Sequence, residues 1–527
     1  MKKNFLFLLA TTLMLTSLTG CNSDDNKVIN DGKTINIKVY EGGYKTTWIY
    51  QLKEKFETLY KSEGYKVNIL PPSGGYEGAS VLSEMRISDN GVDMYFVQNV
   101  KIDDVVSIDY GTCVENLDDV YNSYPIQYDG HEEETKIKDK LGENYQSIVS
   151  DGTNYYGFLW ANSPCGLIVN SKVLDNYDLD IPLTTNQLFA CYDVIKESGN
   201  IKPFAWGGDD AYGYALYALY PYLGQLLGQE KMAQFMRMQS GDNIIESDYL
   251  SGYEIYDDDK LYQALVLVQK MYATSSSVNG SLTGTNLSAH HALLTGKAAF
   301  TVDGDFFYNE VKNDYSSKLG DIKFVNIPVA SDLGVNLKLD GSGENATLCD
   351  TILSEVIKLV DQNKTVNEIK DALSTYSLNE EQIMAVKEAR SVYYEKDCSL
   401  AYISKGSKVS DICKLLLRVA ASDDFGHTFN SVASTTFPYC SSNNLSANEF
   451  SKGVNAVISQ NEAWTVCNLK TSGLRKSAGI PIFPTYSSDI ILTLVTENKS
   501  SDEIKTKIKN NVSQNWSKWM KNAGYSV

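Results

Sequence analysis

The apolar residues of the first patterned stretch switch between two spacings, and this rhythm constrains the fold more than any other feature of the chain. Ile35, Ile37 and Val39 alternate, as a strand with one buried face requires. Trp48, Leu52, Phe56 and Leu59 then recur at helical spacing, with Thr46 or Thr47 placed to cap the helix and Gly64 to close it. Residues 65–70 read as a second strand, 76–87 as a second helix and 92–97 as a third, almost wholly apolar strand. Five alternating elements in about 65 residues imply right-handed crossovers and a parallel sheet. Ligands of such open sheets sit beyond the carboxyl ends of the strands, which puts residues 40–44, 71–75 and 98–99 on one rim.

A second block repeats this grammar. Residues 156–170 are extended, and Thr184 with Gln187 forms a capping box. Leu188, Cys191, Tyr192 and Ile195 share a helical face, and 203–206 is a short strand. At least two α/β lobes follow. Further on, Leu261, Leu265, Val268 and Tyr272 form a helical stripe, while Thr365-x-x-Glu368 and Ser377-x-x-Glu380 open two short charged helices of an apparent insertion. Ile504, Ile508, Val512 and Trp516 form a final stripe that needs a core to pack on. The acids Asp257, Asp258 and Asp259 suit a helix start and lack the spacing of a calcium loop.

The first residues concern location. Lys2 and Lys3 precede an apolar run over 5–15 that is too short to span a bilayer, which is the pattern of an export signal. Leu18-Thr19-Gly20-Cys21 resembles the bacterial lipobox, which implies cleavage of 1–20 and lipidation of Cys21. Two acyl chains on one cysteine give stable membrane anchoring. Residues 21–33 are polar and unpatterned, a tether. No later apolar run reaches 18 residues.

Composition narrows the chemistry. The chain of 527 residues has 66 acids against 47 Lys and Arg, a net charge of −19, which disfavours nucleic acid. Only five cations are arginines (Arg86, Arg237, Arg390, Arg418 and Arg475), and they are scattered, so an anionic ligand is less favoured than a neutral one. The 35 tyrosines supply apolar faces with hydroxyl tips. Four histidines (His131, His290, His291 and His427) form no HExxH, and neither GxSxG nor GxxxxGK[ST] occurs. Gly341 to Ala346 fits GxGxxA but follows no clear strand and reads as a loop. No catalytic residue, metal or cofactor is therefore expected, although two glycosidase carboxylates could lie among so many acids. Besides Cys21 there are eight cysteines with no CxxC among them, and their pairing stays open.

Several segments together resemble the extracellular solute-binding proteins of carbohydrate-type ABC importers, the family that includes maltose-binding protein. They are Gly42-Gly43-Tyr44 with Trp48, residues 92–99, 114–119, Tyr156 to Ser163 running into Leu167 to Lys172, and 181–184. Residues 203–206, 296–305 and 403–407 continue the same order. The resemblance implies a two-lobed, periplasmic-binding-protein-like α/β fold, each lobe a mostly parallel sheet flanked by helices, joined by hinge strands. On this basis 34–155 and 299–344 form the first lobe, 156–298 and 398–527 the second, and 345–397 a helical elaboration. It also implies a monomeric receptor that performs no chemistry, anchored outside the cytoplasmic membrane, which hands a sugar to the permease subunits. A receptor for a peptide, polyol or other polar solute, and a surface glycoside-active enzyme, are the alternatives.

A pyranose has an apolar ring face and a belt of hydroxyls, so its binder needs aromatic platforms beside short polar groups. Tyr44 follows the first strand, whereas the helical stripe assigns nearby Trp48 to core packing. Gln98 and Asn99 end the third strand and match the family's ligand-contacting position. Trp160 and Asn162 lie on the crossover where the family places a cleft contact. Trp206, Asp209, Asp210 and Tyr212 occupy a glycine-freed loop, and Asp303, Asp305 and Phe306 follow a strand that returns to the first lobe. Phe437, Tyr439 and Trp464 are lesser candidates.

Overall fold

The structure, a computed structural model, describes residues 27–87, 90–107, 111–238, 252–396, 399–441, 448–460, 463–466, 473–486 and 490–525. The expected signal, Cys21, Cys398 and Cys467 lie outside the described residues. Among the described residues, no helix is long and apolar enough to cross a membrane. Cys113, Cys191, Cys349 and Cys413 are thiols.

Thirteen strands are described. They are β1 (Thr34–Val39), β2 (Lys66–Ile69), β3 (Met94–Gln98), β4 (Val106–Ser107), β5 (Gly111–Thr112), β6 (Phe158–Ala161) and β7 (Pro164–Asn170). There follow β8 (Lys202–Phe204), β9 (Ala298–Gly304), β10 (Ile322–Val325), β11 (Val392–Glu395), β12 (Ser399–Ile403) and β13 (Trp464–Thr465). One sheet has the order β2-β1-β3-β12-β6, and the other β13-β11-β7-β9-β8 with β10 also on β7. β4 and β5 pair separately.

The expected β-α-β-α-β opening is present. β1 pairs in parallel with both β2 and β3, and the helices Thr47–Leu59 and Gly78–Met85 connect them. Trp48, Leu52 and Phe56 are the buried stripe of the first helix. In each sheet a single strand runs against the rest: β12 in the first and β7 in the second. Both begin just after the chain has crossed from one sheet to the other, so both start at the seam. The other strands send their carboxyl ends toward that seam, and the two sheets face each other across it.

Strand pairing corrects the expected lobe boundaries. β9 hydrogen-bonds to β7 from Cys165↔Gly304 to Val169↔Phe300, so the segment expected to return to the first lobe stays in the second sheet. β12 pairs with β3 and β6, so residues from 399 onward return to the first sheet. The core confirms this, since Leu416, Phe425, Phe429, Phe437 and Tyr439 bury beside Trp48 and Phe96. The stretch 345–397 is also no appendage. Helix Ala346–Asp361 buries Ile352, Leu353, Val356 and Ile357 in the second core, and β11 is an inner strand of that sheet. Arg390 donates two hydrogen bonds to Asp361, each 2.9 Å, and so ties two of these helices together.

Local signals fared well at helix starts. The hydroxyl of Thr184 accepts from Gln187 N and Thr365 with Glu368 forms the expected capping box, while a box at Ser500 with Glu503, not anticipated, opens the last helix. At the helix expected after Ser377 the cap is Asn379 with Gln382, because Ser377 is in the left-handed region at φ 54°. The loop at Gly341 is pinned by Asp340, whose carboxylate accepts from the backbone of Ser342, Gly343 and Asn345.

Helix Glu449–Ile458 lies directly on β10, and a Cβ at Gly453 would fall 2.1 Å from Phe324 O. Gly453→Ala therefore forces helix and strand apart and is expected to cost about 1–3 kcal/mol, measured as a lowered urea midpoint.

Candidate functional site

Three chain crossings define the seam between the sheets. β6 passes to β7 through Asn162 and Ser163, with Ser163 at φ 52° making the turn. β11 passes to β12 across 396–398, where Lys396 N donates to Ser163 O at 2.9 Å. The third crossing leads from the first core after Tyr439 to helix Glu449–Ile458, which packs with the second sheet.

The first crossing and the end of β9 meet at Asp305. Its backbone N donates to Pro164 O at 2.9 Å, and its carboxyl is buried at 1% exposure. Tyr44, from the loop after β1, donates its hydroxyl to Asp305 Oδ1 at 2.6 Å, and Ser163 Oγ lies 3.0 Å from the same hydroxyl. Thr435 donates to Asp305 Oδ2. Burial pushes the Asp305 pKa up to about 7, against the hydrogen bonds from Thr435, Tyr44 and the Phe306 backbone, while Asp303 pushes it further upward.

Glu395 ends β11 in the same way. Tyr145, on helix Glu143–Val149 of the first core, donates to Glu395 Oε1 at 3.0 Å, and Tyr393 reaches the same oxygen at 3.3 Å. Burial pushes Glu395 up to about 8, with Asp305 adding to the rise and both tyrosine bonds opposing it. Asn162 Nδ2 donates to the Tyr145 hydroxyl at 3.2 Å, and its buried Oδ1 has no partner.

Beside these lies a charged group. His290 Nε2 donates to Asp303 Oδ2 at 2.5 Å, and Tyr214 donates to the same oxygen at 3.2 Å. Burial opposes the charged imidazole, but the Asp303 bond holds its pKa above the usual value. Glu310 is 3.9 Å from His290 Nδ1, and burial with Asp303 raises its pKa against His290, Lys45 and Lys396. The Lys396 ammonium sits 5.3 Å from the Phe306 ring centre and 5.9 Å from that of Tyr217. Among the described residues no group of three or more His, Cys, Asp or Glu could hold a metal.

The structure thus gathers Tyr44, Asn162, Asp303, Asp305 and Phe306. Gln98 is near the second crossing, where Nε2 donates to Ser399 Oγ at 3.5 Å, and half-buried Asn99 follows it at φ 58°. Asp209 is exposed on the loop after β8, and the side chains of Asp210 and Tyr212 lie outside the described residues.

The two tryptophans expected as platforms are core residues. Trp160 is 1% exposed, stacks on Trp48 at 5.1 Å and 18°, and donates its indole N–H to Val97 O. Trp206, equally buried, donates to Ser277 Oγ at 2.9 Å and meets Tyr272 edge-on. Neither offers an open face. Phe437, Tyr439 and Trp464 are buried too. Glu395, Tyr145, Glu310, His290, Lys396 and Thr435 were not foreseen, and Glu395 and Lys396 fell within the stretch read as an elaboration.

Outside the seam, a 540 Å³ cavity lies at the amino ends of the first sheet's strands, between Arg86, Val92, Asp93, Ser404 and Val409. It is remote from the gathered residues. At the surface, Lys476 of the second lobe reaches Asp103 of the first at 3.1 Å, an exposed pair that adds little energy.

Replacing the core tryptophan by Trp160→Ala is expected to cost about 3–5 kcal/mol of stability. Tyr44→Phe, which strips one donor from a buried carboxyl, is expected to cost about 1–3 kcal/mol. Chemical denaturation monitored by circular dichroism measures both.

No protein-family model and no curated protein matches the sequence. Solved structures do. The GacH receptor of Streptomyces glaucescens GLA.O aligns over 93% of this chain and 98% of its own, at 13% identity and a TM-score of 0.57. RafE from Streptococcus pneumoniae aligns over 91% and 97%, at 13% identity and a TM-score of 0.56. An ABC transporter solute-binding protein from Thermotoga lettingae TMO, bound with α-D-tagatose, aligns over 92% and 100%, at 10% identity and a TM-score of 0.57. The chain therefore has the two-lobed α/β fold of the solute-binding proteins along nearly its whole length.

Proposed function

We propose that the protein is the substrate-binding receptor of an ABC importer and takes a sugar or oligosaccharide between its lobes. The first lobe comprises 34–161 and 399–440, and the second 164–395 and 449–525. The observation that carries this reading is the seam. Two sheets aim their carboxyl ends at one another across three crossings, with hydroxyl, amide and carboxyl groups collected between them. Such groups donate and accept in turn, as sugar hydroxyls do. The solved structures that share the fold include a chitin oligosaccharide binding protein and the tagatose-bound protein, which fits this ligand class.

Binding then replaces chemistry. The seam's carboxyls are engaged by tyrosine, threonine and histidine side chains from both lobes, an arrangement suited to holding the lobes and a ligand in register. Lipidation of Cys21 would hold the receptor, as a monomer, outside the cytoplasmic membrane near its permease. The unpartnered Oδ1 of Asn162 marks a buried acceptor that a ligand hydroxyl can satisfy.

A thermal-shift screen of mono- and oligosaccharides, amino acids and peptides tests the reading. A sugar at 100 times its dissociation constant is expected to add about 2.7 kcal/mol of stability. Chromatography of the same mixtures should show the sugar intact, whereas turnover would establish an enzyme. For the sugar so identified, Asn162→Ala is expected to weaken binding by about 1–3 kcal/mol in calorimetry.

A further inference from the structure

Two carboxyls of the second lobe are clasped by hydroxyls of the first, one at the end of β9 and one at the end of β11. Asp305 takes the Tyr44 and Thr435 hydroxyls, and Glu395 takes that of Tyr145. Both acids are almost wholly buried. Each clasp joins residues more than a hundred positions apart, so neither can persist unless the lobes stay together at that point. We propose that protonation of Asp305 and Glu395 makes the seam a pH-sensitive latch, which holds the lobes together in acid and lets them loosen in alkali.

The physical reasoning concerns what a buried carboxyl needs. In the neutral form it both donates and accepts, and it sits comfortably among hydroxyls in a dry seam. Ionised, it must be solvated by what surrounds it. The groups that face Asp305 are the Tyr44, Ser163 and Thr435 hydroxyls, the Phe306 backbone N–H and the Asp303 carboxylate. Glu395 has the Tyr145 and Tyr393 hydroxyls and Asp305 among the groups around it. Each acid thus adds charge against another acid. The nearby cations Lys45, Lys396 and His290 act on Glu310 and Asp303. Water relieves the repulsion, and water enters when the lobes part.

The sign follows from burial. In the closed seam the two pKa values are lifted to about 7 and about 8, whereas in an opened, hydrated seam they fall back toward the ordinary carboxylate range. A proton therefore favours closure. Its contribution is complete in acid and is lost as pH rises through neutrality to mild alkali.

Small-angle X-ray scattering from the unliganded chain tests this without a sugar, so its outcome is separate from that of the proposed function. The radius of gyration is expected to be larger at about pH 9 than at about pH 5.5. In the Asp305→Asn/Glu395→Gln variant it should be the same at both. A wild-type radius unchanged across this range would overturn the latch, and so would a double variant that expands as the wild type does. If the double variant does not fold, Glu395→Gln alone decides. This single change is expected to reduce the expansion between these two pH values, and an expansion equal to that of the wild type would overturn the proposal.

Discussion

The hydrogen bonds that close on Asp305 hold the architecture at its most demanding point. A chain that crosses between two sheets three times must keep its crossings aligned, yet those segments are too short to own a core. Asp305 solves this by position. Its backbone N–H caps the start of β7 at Pro164, while its side chain collects Tyr44 from the loop after β1 and Thr435 from the segment after helix Asp423–Ala433. One residue thereby fixes the end of β9 against the first lobe. Glu395 does the same for β11 through Tyr145. The reversed strands β7 and β12 begin beside these points.

Much of the fold was legible because it is local. The alternation of Ile35, Ile37 and Val39, the stripe from Trp48 to Phe56, and the caps at Thr184 and Thr365 each depend on residues a few positions apart. What a local pattern cannot convey is which sheet a strand joins. β9 is buried on every residue and carries no period that separates one neighbour from another, so its pairing with β7 was hidden. The same holds for β12, which is buried along its whole length. The helices of 346–391 looked detachable because their capping boxes and charges lie on the surface, whereas the apolar face of helix Ala346–Asp361 reveals its purpose only against the second core.

The site was legible in part for a related reason. Tyr44, Asn162, Asp303, Asp305 and Phe306 sit beside strand ends, where sheet geometry points to a cleft. The tryptophans misled because size and aromaticity serve a core as well as a ligand. β6 reads Phe-Leu-Trp-Ala with all four residues buried, so both of its faces are covered and Trp160 belongs to the stack on Trp48. Glu395 had no local signal at all. It is one of 66 acids, and its partner Tyr145 lies 250 residues earlier.

The electrostatics of the seam bear on the ligand as well. With Asp305 and Glu395 protonated, as in acid, the other ionisable groups near the crossings are His290 bonded to Asp303, and Glu310 with Lys45 and Lys396 nearby. Counted as charged, two acids and three cations leave a net charge of +1. For a ligand held between the lobes as proposed, binding would rest on matched hydrogen bonds and apolar contact more than on charge. Under that reading the site suits a neutral sugar, in keeping with the scarcity of arginine along the chain. It would also couple the two roles proposed for the seam. In the proposed latch the protonated carboxyls that let the lobes pack dry would also limit the charge in the cleft, so a change of protonation would alter the fit of the lobes and the field at the ligand together.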